Sequence, residues 1–446
     1  MEHNHMTEDL TEGNVRQKLI HYALPLVAMN LMQSLYSMVD LLISGHFIGG
    51  RGISGINNSS QIMLLITQII IGLSQGGNIL IGQFFGAKHQ DRLRETINTL
   101  FFSFMVLSFA VAFGLFTMSG SLLRLLGAPA YREALAYLRI CSVGILFIAG
   151  YNALVAAVRG VGDSRRPMKI IMISTITNIF LDILFVGVFH FGTGGAAAAT
   201  VISQGTSFFL ILLHVLKNPE IFGISLLHPQ FYIRRFRVIL RLGIPCAVQQ
   251  SIAGLSWLTV TKFINVYGVA ASAGAGVSAK IKDFCQLFIS AVASATSTMV
   301  AQTLGAGKYD RAKEVLLNAL KITVMVAVVI IITVECAAPY LAAIFTSEAD
   351  VARVAVLNLR IEIIGQIFYA LFLVYHSFAV GAGHTWFVMG SSFVNCILVR
   401  VILVVLLEGW IGLPGIFLAC MIAPASSVPL GMIYVRLGRW RKQVEY

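Results

Sequence analysis

The first half of this chain is written again in its second half. GQFFGAKHQDR at residues 82–92 returns as AQTLGAGKYDR at residues 301–311, with Gln, Gly, Ala, Asp and Arg in the same places. YLRICSVGILF at 137–147 returns as NLRIEIIGQIF at 358–368. Pro25 and Pro245 sit in matching contexts, ALP and GIP. The offsets are 219, 221 and 220 residues, so the register holds across most of the protein. A solenoid repeat is roughly 20–50 residues long. A unit this much longer must be a bundle in its own right, and the chain must hold two.

Lipid is the solvent of those bundles. Only 12% of the 446 residues are charged and 57% are hydrophobic, against about 25% charged in a soluble domain. A membrane β-barrel would alternate over segments of about 10 residues. Here the apolar runs are long and unbroken, and a span needs about 20 apolar residues. Twelve such runs are predicted, at 15–45, 53–84, 95–118, 132–160, 166–190, 194–217, 236–267, 273–304, 311–338, 351–382, 385–408 and 411–437. Six helices per repeat return the chain to its starting side. Both halves therefore share one orientation and are related by an axis along the membrane normal. The expected organisation is a lobe at 1–217, a polar linker at 218–235 with room for a short surface helix, and a lobe at 236–446.

The net charge of +12 follows from loops, not from a nucleic-acid surface. Lys and Arg crowd the loops of one side, as the positive-inside rule requires, and no basic stripe with interleaved aromatics occurs. Both termini are expected in the cytoplasm, in an inner (plasma) membrane protein with no cleavable signal pattern. The six cysteines lie in different apolar runs without CxxC spacing, which predicts buried packing residues. His3 and His5 in the polar N-terminal stretch do not make a metal site. The glycine loops RGVGD at 159–163 and VGAGH at 380–384 lack the Walker lysine and read as turns.

Two acids fall at membrane depth, where a charge is costly and marks function by default. Asp40 lies in the first span and Asp182 in the fifth, each with apolar flanks. Asp182 is roughly 24 Å along an outward-running helix, which puts both acids in the outer half at similar depth. Each has a polar partner one turn earlier on its own face, Tyr36 for Asp40 and Asn178 for Asp182. Thr200 enters at similar depth, and Asn152 lies deeper. A buried acid whose charge is costly suits a cycle that takes and releases a proton; the same oxygens can hold Na⁺. Pro25 is expected to bend the first helix. Met29, Met32, Met63, Met168 and Met172 suit an adaptable apolar cavity. The second half lacks these acids: Val260 stands where the repeat would place Asp40. It carries instead Lys262, Lys280, Lys282, Asp283, Glu362 and Arg400, for which pairing or cavity lining is expected, with Glu362 and Arg400 as one such pair.

Two six-helix halves, each with a GQxxGA-type or AQTxGA-type signature after its second helix and a Pro-bearing first helix ending in Asp, resemble the multidrug and toxic compound extrusion (MATE) family. The resemblance covers almost the whole chain and is nearest the DinF-type branch, which carries a first-helix Asp and a fifth-helix Asn-x3-Asp, as Asp40 and Asn178/Asp182 stand here. Tyr36, Asn152 and Thr200 match the types of that branch's polar network. The stretch SWLTVTKF lacks the seventh-helix acid of the NorM-type branch. The resemblance implies an all-α membrane protein of two bundles in a V. It also implies antiport of lipophilic, usually cationic, drugs against H⁺ or Na⁺, with no cofactor, in a monomer.

Other readings stay open on the residues alone. A flippase for a lipid-linked glycan would want an Arg-rich cavity for pyrophosphate, and the first-half helices offer few Arg at depth. A membrane-embedded enzyme would need a nucleophile or metal site; no HExxH occurs, and His46, His190, His376 and His384 are scattered.

Overall fold

The computed structural model describes residues 8–125, 127–226 and 229–441. His3 and His5 lie outside the described residues. Among the described residues eleven helices are long and apolar enough to cross a membrane, and a twelfth crossing exists if one sharply bent pair counts as a single span. Their outward faces stay apolar: Phe113, Phe180, Leu258 and Ile332 are each at least 60% exposed, as a lipid-solvated surface requires.

The first half supplies α1 (Val15–Phe47), α2 (Gly49–Gly86), α3 (Gln90–Leu125), α4 (Tyr131–Gly160), α5 (Arg165–Asp182) and α6 (Gly192–Leu216). A single-turn helix, α7 (Pro219–Phe222), sits in the linker. The second half supplies α8 (Ile233–Asn265), α9 (Val269–Gly305), α10 (Tyr309–Phe345), α11 (Ala349–Ile364), α12 (Gln366–Gly381), α13 (Thr385–Phe393), α14 (Arg400–Ile411), α15 (Leu413–Ile422) and α16 (Ser427–Leu437).

The duplicated signature folds the same way twice. After α2, the amide of His89 donates to Phe84 O and that of Lys88 to Phe85 O, both at 3.0 Å. After α9, Lys308 donates to Thr303 O at 2.9 Å and Gly307 to Leu304 O at 3.0 Å. These are paired Schellman turns, and the residue in the left-handed position is Lys88 (φ 58°) in one and Gly307 (φ 70°) in the other. The glycine loops after α4 and α12 close identically, through Asp163 N to Val158 O and His384 N to Ala379 O, and are turns as expected.

By packing, Ala28–Ala247 forms one compact unit, and Leu10–Val27 with the residues from Val248 onward forms the second. The units thus differ from the chain-order halves in two places, each just after a proline: Pro25 inside α1 and Pro245 inside α8. Signature residues of the second half hold the N-terminal segment in its unit. Arg311 donates to the carbonyls of Leu10, Glu12 and Gly13, and Leu10 N donates to Gln302 Oε1 at 3.2 Å.

In the first unit α4 packs between α2, α3 and α6, with Asn78 of α2 donating to Ala156 O at 3.0 Å. In the second, α9 packs on α10, α11 and α12. Two features add detail to the twelve expected runs. The run at 351–382 is broken at Gly365, where α11 and α12 meet at 48°; a Cβ there would lie 2.9 Å from the Met421 carbonyl oxygen, so only glycine lets this corner reach its neighbour. The fifth and eleventh runs each contain a six-residue π-helical stretch, Ile183–Val188 and Val394–Val399. The six cysteines are free, and Cys336 is exposed instead of packed inside.

Candidate functional site

The first unit gathers polar residues around the C-terminal half of α1. Tyr36 Oη lies 3.4 Å from Thr200 Oγ1 of α6. Asp40 follows Tyr36 by one turn on the same face. Asp40 and Asp182 are close enough for their charges to interact, and both act on the Tyr36 hydroxyl. Asp182 closes α5 immediately before the π-helical turn, a distortion that recurs at functional positions in helices. Asp182 and Asn178 are each 1% exposed. Among the described residues, none of the four terminal oxygen and nitrogen atoms of the two side chains reaches a hydrogen-bond partner outside the Asn178–Asp182 pair. Leaving buried polar atoms underpaired costs free energy.

Beside this cluster lies a cavity of about 200 Å³. Tyr36 and Asn152 face it together with Gln33, Tyr151, Thr175 and Gln204. Asn152 Nδ2 donates to Ile148 O of its own helix at 2.8 Å, which leaves its carbonyl oxygen for the cavity. Gln33, Tyr151 and Gln204 were not singled out by sequence reasoning. A signal existed for two of them: Gln33 precedes Tyr36 by three residues and Gln204 follows Thr200 by four, spacings that share a helix face. Gly144 makes the room, since a Cβ there would sit 2.5 Å from Gln204 Oε1.

The methionines lie elsewhere. Met29, Met32, Met63 and Met172 are outside the walls of this cavity. Met63 packs on the cluster of Ile56, Tyr137 and Val186, and Met172 is 43% exposed on the outside of α5. Pro25 is buried inside α1. Among the described residues no three His, Cys, Asp or Glu side chains converge as a metal site would require.

Four of the second unit's charges meet at another cavity, of about 370 Å³, bordered by Lys282, Asp283, Glu362 and Arg400; Lys262 and Lys280 are not among its walls. The expected pairing of Glu362 with Arg400 is corrected here. Glu362 is bonded to Lys282 Nζ, whose ammonium also stands 4.8 Å from the Trp257 ring centre. The bend at Gly365 turns the chain just after Glu362, so the acid faces α9 and its lysine, while Arg400 is taken by Ser256 Oγ at 3.2 Å.

A duplicated bundle of membrane-spanning helices, with the buried Asp182 and the half-buried Asp40 in one unit beside a cavity lined by polar side chains, is the architecture of a secondary transporter. The chain belongs to the MatE family, whose profile matches it twice, at residues 25–184 and 245–406. The two matches begin at Pro25 and Pro245, the same positions from which the internal repeat was read. The chain is 28% identical over 438 residues to the probable multidrug resistance protein YpnP of Bacillus subtilis, covering 97% of each chain. It is also 28% identical over 369 residues to the probable multidrug resistance protein YoeA of the same organism, covering 78% of each. Its fold matches an outward-facing multidrug resistance MATE family transporter of the MOP superfamily with a TM-score of 0.92 at 20% identity, over 99% of this chain and 100% of that one.

Proposed function

We propose that this protein is a multidrug exporter that moves lipophilic, cationic compounds out of the cell in exchange for protons, by alternating access. The observation that carries this reading is the buried Asn178–Asp182 pair with no hydrogen-bond partner outside the pair among the described residues, set beside Asp40, Tyr36 and Thr200. A carboxyl in that position gains by taking either a proton or an organic cation, and the two compete. A ligand drives a cycle only through such differential binding. Asp40 is the shared site of proton and substrate; Asp182, Asn178, Tyr36, Thr200 and Asn152 position it. Pro25 provides the bend of α1 that closes the site when the proton arrives. The arrangement is that of the DinF-type branch, in a plasma membrane protein with both termini in the cytoplasm. The relatives named for multidrug resistance support the substrate class.

The test is ethidium transport in proteoliposomes under separate H⁺ and Na⁺ gradients. Wild type is expected to move dye under ΔpH, and D40N to lose that transport by tenfold or more while remaining folded. Transport driven by Na⁺ alone would replace the proton with sodium at the same oxygens. Proton-driven transport surviving in D40N would move coupling away from the first unit.

A further inference from the structure

We propose that the cavity of the second unit is a binding site for amphoteric molecules, seating a carboxylate on Arg400 and an ammonium or other organic cation on Asp283. Lys282 and Glu362 are bonded to each other, with side chains 15% and 5% exposed, so neither charge is free for a ligand. Two opposite charges remain on the same walls. Arg400 makes one side-chain hydrogen bond, from Nη1 to Ser256 Oγ at 3.2 Å, and its Nε is buried without a partner. No carboxylate of the described residues lies within ion-pair distance of it. A guanidinium presents five donors in a fork matched to a carboxylate, and an unpaired arginine at membrane depth is costly. Ser256 fixes this fork, since its hydroxyl donates onward to Cys396 O at 2.5 Å.

The fifth span of the first half and its counterpart in the second each carry one charge after an asparagine, in NIFLDIL at residues 178–184 and NCILVRV at residues 395–401. Asp182 stands just before a π-helical stretch and Arg400 just after one, so the two positions are not equivalent in the repeat. Asp283, which forms no ion pair among the described residues although the charges of Lys282 and Lys280 act on it, makes a purely anionic ligand a poor fit. A cation alone leaves Arg400 unmet. A molecule bearing both charges satisfies both, and the rings of Trp257 and Tyr369 on the same walls offer faces to an aromatic body between them.

This inference rests on the reading of the chain as an exporter of drug-like molecules. Its test needs no gradient, so failure of coupling and failure of the site are read separately. The probes are rhodamine B, which carries a xanthylium cation and a free carboxylate at neutral pH, and its methyl ester, which keeps only the cation. Binding to the purified protein in nanodiscs is followed by fluorescence anisotropy. Wild type is expected to bind the free acid more tightly than the ester. R400Q should weaken rhodamine B about tenfold, the size of one charge-assisted contact, and leave the ester within about twofold. D283N should weaken both dyes alike. S256A keeps the guanidinium but frees it, and should weaken rhodamine B alone by a smaller factor; it serves if R400Q does not fold. Equal affinity of wild type for the two dyes, an equal loss of both in R400Q or S256A, or no effect of D283N overturns the site.

Discussion

Lys282 shows how a single residue is read differently alone and in place. Along the chain it is a charge beside Asp283; in the fold it crosses to Glu362 and lies over Trp257. Removing one member of a buried ion pair strands the other and costs about 3–5 kcal/mol, whereas replacing both with apolar residues is often neutral. The cost is at the lower end here, because Lys282 borders a cavity. K282M is therefore expected to lower the thermal midpoint in detergent by several degrees, and K282M/E362L to recover most of it; a double variant no better than the single would show that the pair contributes through packing. Asp40, Asp182, Asn178, Tyr36 and Thr200 were legible as candidates, because an acid at membrane depth carries its own signal. Tyr151 was not legible: it has an ordinary position in an apolar run, and its buried hydroxyl is exceptional only for lacking a partner.

Among the elements, the helix bounds follow the apolar runs because each span is set by local composition and by the thickness it must cross. The helix–helix contacts follow a second local pattern. Gly72 and Gly76 of α2 meet Ala247 and Gly243 of α8, small residues at four-residue spacing on both sides. A Cβ at Gly76 would lie 2.5 Å from Ile239 O and 2.6 Å from Gly243 N, both backbone atoms that cannot swing away. G76A is expected to destabilise the protein by roughly 1–3 kcal/mol through overpacking. G114A, with nothing within 4 Å of the new methyl, should be neutral or slightly stabilising. Detergent thermal midpoints and membrane yield check both, and equal behaviour of the two variants would remove the close-packing argument. The broken helix at Gly365 escaped the sequence because a lone glycine in an apolar run looks the same whether or not another backbone presses on it. The two π-helical stretches escaped for a similar reason, since an extra residue in a helical turn leaves composition unchanged.

For the whole molecule, the count of crossings decides which side each terminus faces. With α11 and α12 as one bent span there are 12 crossings, and with that pair re-entrant there are 11. We propose an even count, which with Lys and Arg crowding one side would put both termini in the cytoplasm. A fluorescent-protein fusion at either end is expected to fluoresce, and a periplasmic-phosphatase fusion at either end to be inactive. An active phosphatase at the C-terminus alone would mean that α11 and α12 turn back within the membrane. The duplication, the helical membrane class, the repeated signature and the acids of the first half all belonged to the sequence by itself. Each depends on neighbours within a turn or two, or on a repeat visible by inspection. The tertiary structure alone decided that Glu362 takes Lys282 and leaves Arg400 unmatched, that Gly365 breaks a span, and that residues 10–27 pack with the second unit. Those outcomes depend on which distant surfaces meet, and a charge or a glycine carries no local mark of its partner.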